Sequence, residues 1–171
     1  LLTMSDLDTN NDGNPMASEY QNLAMNAHFE FRPNENTTAT FSGGFSDAGG
    51  IGIQDLGYFY NQGLDYWAHA RATSGNIFAQ VSYNSNDGGD IDNPSFLYET
   101  GNRVVGKREF LVANVQYDLD LPSFLDSKFN FGIDYQDTAS DSEYTLYGRN
   151  EDNDPYSIAG AYAQGQSKLA D

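Results

Sequence analysis

The sequence predicts an all-β protein, an antiparallel up-and-down transmembrane β-barrel segment with about seven strands of a larger barrel. Two observations carry this prediction. Apolar residues recur at every second position, which is the period of a strand with one apolar face and one wet face. Tight turns also alternate with long polar connections, which is typical of outer-membrane barrels with short turns on one rim and long loops on the other.

The first two strands show the pattern most clearly. Over about residues 20–32, apolar side chains alternate with small or polar ones, and after a tight turn the alternation resumes over about 37–47. The apolar positions are Leu23, Met25, Ala27, Phe29, Phe31, Ala39, Phe41 and Phe45. These two segments therefore predict a β-hairpin.

Five more strands are predicted, over about residues 64–73, 77–84, 108–118, 127–137 and 156–168. In all but the last, the apolar residues fall on one face; the pattern of the last strand fits either facing. Gly75 lies in the turn between two of these strands and supplies the positive φ that a hairpin favours.

The connections divide by length. Those at 33–36, 73–76 and 119–126 are short, and those at 48–63, 85–107 and 138–155 are long. Two aromatic clusters, residues 57–60 and 95–98, fall inside the long segments. They are interpreted as loop packing, with strand extending beyond the membrane as the alternative.

Composition excludes several classes of protein. The chain has 171 residues, with 25 Asp plus Glu against 8 Lys plus Arg, for a net charge of -17. Such a chain is not expected to bind nucleic acid through phosphates. It contains no cysteine, so neither a disulfide nor a thiolate metal site exists. Membrane-spanning helices are excluded because no apolar run approaches the roughly 20 residues that each requires.

A candidate calcium loop covers residues 8–19, which satisfy the pattern D-x-[DN]-x-[DN]-G-x5-E. Gly13 would make the sharp turn, but Pro15 and the non-helical flanks depart from an EF-hand. The alternative is a surface loop held by Asx-turns. The oxygen ligands for Ca²⁺ would come from Asp8, Asn10, Asp12, Asn14 and Glu19.

Two other acidic clusters, residues 148–155 and the set Asp87, Asp90 and Asp92, are interpreted as solvating charge, with divalent-cation binding as the alternative. His28 and His69 are predicted to face inward, into the barrel lumen. Neither lies near a nucleophile motif, and the sequence has no P-loop, GxSxG or HExxH. No enzymatic activity is therefore predicted.

Several segments resemble TonB-dependent outer-membrane receptors, most closely the large kind whose plug follows a carboxypeptidase-regulatory-like domain. The opening residues 7–13, leading into the strand from Asn22 to Phe31, are similar to an early barrel hairpin of such receptors. The other segments are 96–101 (FLYETG), 131–135 (FGIDY), 147–154 (YGRNEDND) and 160–162 (GAY).

The resemblance implies a 22-stranded barrel closed by a plug, in the outer membrane of a Gram-negative bacterium. Its partners would be the lipid bilayer and lipopolysaccharide, the TonB complex, and a small ligand bound by extracellular loops. Residues 1–171 are expected to form a partial barrel domain, because the chain starts without Met and its end lacks a terminal aromatic residue. The plug, the TonB box and the closing strand are expected to lie outside this sequence.

Two alternatives remain open at this point. The first is a secreted, acidic β-sandwich that recognises carbohydrate, with exposed Tyr side chains and Trp67 as stacking platforms. The second is a passive porin, which shares the barrel but needs no energy coupling. In a barrel the strand aromatics face lipid, whereas in a sandwich the same residues form a dry core between two sheets.

Overall fold

The computed structural model describes residues 21–54, 57–89, 95–97, 100–146 and 155–168, which form one open antiparallel sheet and no helix. The seven long strands follow one another across the sheet in chain order, and the short β5 pairs with the far end of β3. The strands are β1 (Gln21–Asn34), β2 (Thr37–Gln54), β3 (Gly57–Ser74), β4 (Ile77–Gly88), β5 (Phe96–Leu97), β6 (Lys107–Leu121), β7 (Ser127–Asp141) and β8 (Tyr156–Gln166).

All seven predicted strands are confirmed, and the sheet is antiparallel and up-and-down as expected. The facing of the last strand, which the sequence left open, follows from its register against β7. Ala159, Ala161 and Ala163 pair with Tyr135, Ile133 and Phe131 in turn, so the three alanines share the apolar face.

Three short turns lie side by side at one end of the sheet, which we call the short-turn rim. Backbone hydrogen bonds link the turns: the Gly75 N–H donates to Asn36 O at 3.0 Å, and the Asp118 N–H donates to Asn76 O at 2.9 Å. Gly75 has φ of 55°, as predicted for this turn. The opposite end, where β2 turns into β3 and where 89–106 and 142–155 connect strands, is the long-loop rim.

The prediction of a long loop at 48–63 is wrong. β2 continues to Gln54 and β3 begins at Gly57, so only two residues separate these strands. The strict alternation of connection lengths is therefore wrong at this position. Glycines at 49, 50 and 52 carry no side chains, so the alternation of apolar and polar residues is not visible in this part of the sequence. The backbone nevertheless pairs with β3 from Ala48 to Gln54.

The loop interpretation of the aromatic cluster at 95–98 is also wrong in part, because Phe96 and Leu97 form β5 on β3. The Phe96 ring stacks on Tyr60 with 5.0 Å between centroids. The Ser95 hydroxyl bonds both the N–H and the carbonyl of Gln62, each at 3.0 Å. These contacts fix Ser95 and β5 against β3.

The buried hydrophobic side chains of the described residues lie at the long-loop rim. Val105 is fully buried, and its N–H donates to Thr145 Oγ1 at 2.9 Å. Gly89 has φ of 85° and passes so close to the Val104 carbonyl that no Cβ fits there. We call this the rim core, formed by Phe59, Tyr60, Phe96, Val104 and Val105.

Candidate functional site

The candidate site is the pair of surfaces that the sheet presents on its two faces. Residues that pair across antiparallel strands have side chains on the same face, so the register assigns each row to one surface. The row through the middle of the sheet is apolar on all seven long strands: Phe29, Phe41, Ala70, Val81, Ala113, Tyr135 and Ala159. This row and its apolar neighbours form what we call the apolar band.

Many of the large side chains of the apolar band are exposed. Phe29 retains 68% of its accessible surface and Ile133 retains 62%. Such a large contiguous apolar surface is rare on a soluble monomer and indicates contact with an apolar partner or environment. Phe29, Phe41, Phe131 and Tyr135 share one face of the sheet, as the period-two pattern predicted, and what covers that face belongs to the proposal below.

The apolar band crosses the sheet diagonally. Its midpoint on β1 is Ala27, in the row of Leu111, and its midpoint on β7 is Gly132, in the row of Gln116. Over five strand spacings it moves five residues along β6. At about 3.4 Å per residue and about 4.8 Å per spacing, the mean inclination of the band to the hydrogen-bonding rows is about 35°. The shift falls after β3, because Ala68, the midpoint on β3, still lies in the row of Ala27.

Three tyrosines lie at or next to the edge of the apolar band on the side of the long-loop rim. Tyr66 on β3, Tyr83 on β4 and Tyr135 on β7 lie in successive rows, so their line follows the same diagonal. The rings of Tyr66 and Tyr83 have centroids 6.4 Å apart. Tyrosine suits the boundary between an apolar and an aqueous phase, because its ring is apolar and its hydroxyl is polar.

The opposite surface, which we call the polar face, carries hydrogen-bonded amide and carboxylate side chains. Asn114 is 5% exposed and donates to Asp134 Oδ1 at 2.7 Å, while Gln116 donates to Asn114 Oδ1 at 2.9 Å. Nearer the short-turn rim, Asn130 donates to Asp118 Oδ1 at 2.6 Å. The polar face therefore carries a hydrogen-bonded network of side chains, although the buried hydroxyl of Thr138 on this face has no hydrogen-bond partner among the described residues.

Comparison with protein-family models, with curated proteins and with solved structures finds no match for this chain. Within the described ranges there is also no helix long and apolar enough to cross a membrane.

The candidate calcium loop at 8–19, with Asp8, Asn10, Asp12, Asn14 and Glu19, lies outside the described residues and stays a prediction, as does the acidic segment around 148–154. Of the third acidic cluster, only Asp87 is described, and it lies 3.8 Å from Lys107 Nζ. In the part of the chain that the structure describes, no group of three or more His, Asp or Glu side chains is placed to hold a metal ion.

The two histidines, predicted to face a barrel lumen, lie on the polar face of the sheet. His28 and His69 share a row, each pairing with Ser42. This places them on the face that would line a lumen.

One feature of the polar face was missed by the sequence interpretation. Phe110, at the start of β6, shares a row with Trp67, and Asn84 lies between them. Its position in the period-two pattern of β6, two residues before Val112, was the signal that placed it on this face. The pairing with Trp67 requires the register of three strands, which periodicity does not supply.

Proposed function

We propose that this chain forms part of the wall of an outer-membrane transport receptor, a β-barrel that binds a small ligand from outside and imports it with the TonB complex. The observation that carries the barrel is the diagonal apolar band. Strands of outer-membrane barrels tilt by about 35–45° from the barrel axis, so a band level with the membrane crosses their hydrogen-bonding rows at the same angle. The angle of about 35° found here falls at the edge of that range.

The height of the band supports the same proposal. On β1 the band extends from Leu23 to Phe31, and on β3 from Leu64 to Ala72. Each run spans about 27 Å along its strand, or about 21 Å along the barrel axis at a tilt of about 40°. Outer-membrane barrels carry apolar bands of about 25 Å.

The open edges of the sheet also support a larger barrel. β1 and β8 are the outer strands of the described sheet. Their backbone groups need partners at membrane depth, and in a barrel neighbouring strands supply them. The coupling to TonB and the import of a ligand come from the resemblance of the sequence to this receptor family.

Paired substitutions on β7 test the barrel. Phe131 lies in the band beside its midpoint, and Asn130, the preceding residue, lies on the polar face. Phe131→Arg is expected to destabilise the assembled protein by about 2–4 kcal/mol, since it places a cation near the middle of the bilayer. Asn130→Arg is expected to be mild, because Asp118 lies next to it and can pair with arginine.

Urea unfolding in phospholipid vesicles and the amount of protein in the outer-membrane fraction provide the measurements. Equal effects of the two substitutions would contradict the assigned facing. Recovery of the unmodified protein in a soluble fraction would contradict the barrel and return the β-sandwich as the working hypothesis.

A further inference from the structure

The three turns of the short-turn rim differ in the side chains that they expose. The first turn has Glu-Asn at its tip, at residues 35–36, and the second has Gly-Asn, at residues 75–76. The third turn, at residues 122–126, instead presents two large apolar side chains. Phe124 is 60% exposed and Leu125 is 51% exposed. The third turn is therefore the one with an apolar tip.

The backbone of this turn takes an unfavourable conformation at Leu125. Leu125 and Asp126 have φ of 51° and 45°, and the Ser127 N–H donates to Phe124 O at 3.0 Å, which closes a tight turn with two central residues. Such turns favour Asn and Gly, because a residue with a larger side chain is strained in left-handed backbone. Leucine is therefore a costly choice at the first central position, and this cost points to a role for its exposed side chain.

Hydrogen bonds fix the turn against the adjacent ends of β7 and β8. Ser127 is 1% exposed, and its hydroxyl donates to Phe124 O and lies 2.7 Å from Ser167 Oγ. The Lys168 N–H donates to Leu125 O at 2.9 Å. The carbonyl groups of both apolar residues are therefore bonded to the sheet, while their side chains remain exposed.

The apolar band leads directly to this turn. Leu119 pairs with Phe129 and Leu121 pairs with Ser127, and all four side chains lie on the face of the band. The rings of Phe129 and Phe131 stack with 6.3 Å between centroids. The row of Leu121 lies two residues beyond the row of Phe129, which is about 7 Å along the strands and about 5 Å along a barrel axis at a tilt of about 40°. In the proposed barrel, the turn that begins there lies in the headgroup layer, which is roughly 5–8 Å thick on each side of the hydrocarbon core.

We propose that the turn at 122–126 anchors the protein in the phospholipid headgroup layer on the side of the short turns, with Phe124 and Leu125 inserted towards the acyl chains. The proposal rests on the proposed function, because the depth of the turn follows from a band that lies in a bilayer. Insertion removes the exposed apolar surface of both side chains from water. Asp126 beside the tip offers no attraction to anionic lipids, so insertion is expected in uncharged phosphatidylcholine.

Single nitroxide labels on introduced cysteines test the proposal, because the chain contains no cysteine of its own. A label on Ser123→Cys leaves Phe124 and Leu125 in place. In phosphatidylcholine vesicles this label is expected to collide more often with oxygen, which concentrates in lipid, than with a water-soluble nickel chelate. Glu35→Cys is the matched control on a polar turn of the same rim, and its label is expected to show the opposite preference.

A double variant removes the apolar tip and keeps the turn. Phe124→Ser with Leu125→Asn is expected to fold as before, because asparagine tolerates the left-handed backbone at this position. The label on Ser123→Cys is then expected to collide more often with the nickel chelate than with oxygen. A label on Ile133→Cys, which lies in the apolar band, is expected to prefer oxygen in both backgrounds and reports on the barrel separately.

The outcomes separate the two proposals. A label at 123 that prefers the nickel chelate, while the label at 133 prefers oxygen, overturns the anchor and leaves the barrel intact. A label at 123 that neither reagent reaches overturns the lipid contact, because a protein then covers the turn. Equal preference for oxygen at 35 and 123, or no change in the double variant, overturns the role of Phe124 and Leu125. A label at 133 that prefers the nickel chelate overturns the barrel, and the anchor with it.

Discussion

Hydrophobic side chains are buried in the rim core, whereas large ones in the apolar band are exposed. At the long-loop rim, Val105 is 0% exposed and Phe96 is 7% exposed. In the middle of the sheet, Phe29 is 68% exposed although its neighbours on the same face are also apolar. A water-soluble domain places its best-buried residues at its centre, and here they lie at one end.

This contrast in exposure indicates that the rim core and the apolar band are suited to different environments. The rim core buries its own apolar surface and satisfies its backbone groups through residues such as Ser95 and Thr145. It is therefore suited to water. Much of the apolar band stays exposed within this sheet, so its stability depends on what covers it. Lipid does this in the barrel that we propose, and a second sheet would do so in a sandwich.

The largest effect is expected at the rim core. Phe96→Ala removes the ring that stacks on Tyr60, and truncation of a buried Phe costs about 3–5 kcal/mol. We expect a local loss of about 3 kcal/mol, because β5 is a two-residue strand that pairs with the end of β3. Hydrogen exchange should accelerate at Gln62 and Val105 and stay unchanged at Val115, within the band.

Phe124→Ala is the matched control for this prediction, because Phe124 is 60% exposed in the turn after β6. It should leave the exchange rate of Val105 unchanged. If Phe96→Ala accelerates exchange across the whole sheet, the rim core and the band form one cooperative unit, and the division into two regions is wrong.

A medium effect is expected in the middle of the sheet, where cross-strand packing replaces a buried core. Gly132 on β7 pairs with Tyr162 on β8, and a Cβ at Gly132 would overlap the tyrosine ring. Gly132→Ala must displace this ring and is expected to cost about 1–3 kcal/mol in denaturant unfolding. Gly160→Ala, on the same face with open space around it, should change stability by less than about 0.5 kcal/mol. Equal losses of stability from Gly132→Ala and Gly160→Ala would mean that the backbone freedom of glycine, and not overlap with the tyrosine ring, determines the change.

The sequence predicted the sheet well where side chains alternate. Phe129, Phe131, Ile133 and Tyr135 repeat with period two against polar neighbours, so both the strand and its facing could be inferred. The short turn at Gly75 was also predictable, since its chemistry is local. These features depend on residues close together in the chain.

Features that depend on distant residues could not be inferred. Phe96 forms a strand because Tyr60, 36 positions earlier, offers an edge and a ring. Trp67, Asn84 and Phe110 share one row of the polar face, and the register of β3, β4 and β6 determines that row. Periodicity assigns a face to each residue but does not say which residue lies opposite it on another strand.

The smallest effect is expected from the charges at the long-loop rim. Arg103 donates to Glu143 Oε2 at 2.6 Å, and Lys107 Nζ lies 4.0 Å from Glu143 Oε1. Both side chains of the Arg103 pair are more than one third exposed, and exposed pairs contribute about 0–1 kcal/mol. Arg103→Gln should therefore accelerate exchange at Val105 only slightly, and the difference should vanish in about 1 M salt, where the screening length is roughly 3 Å.

Lys128→Gln is the control, because Lys128 lies near Asp120 at the other rim and should not affect Val105. If Arg103→Gln accelerated exchange at Val105 as much as Phe96→Ala does, ion pairing, and not the apolar rim core, would be the main stabilising interaction of this region.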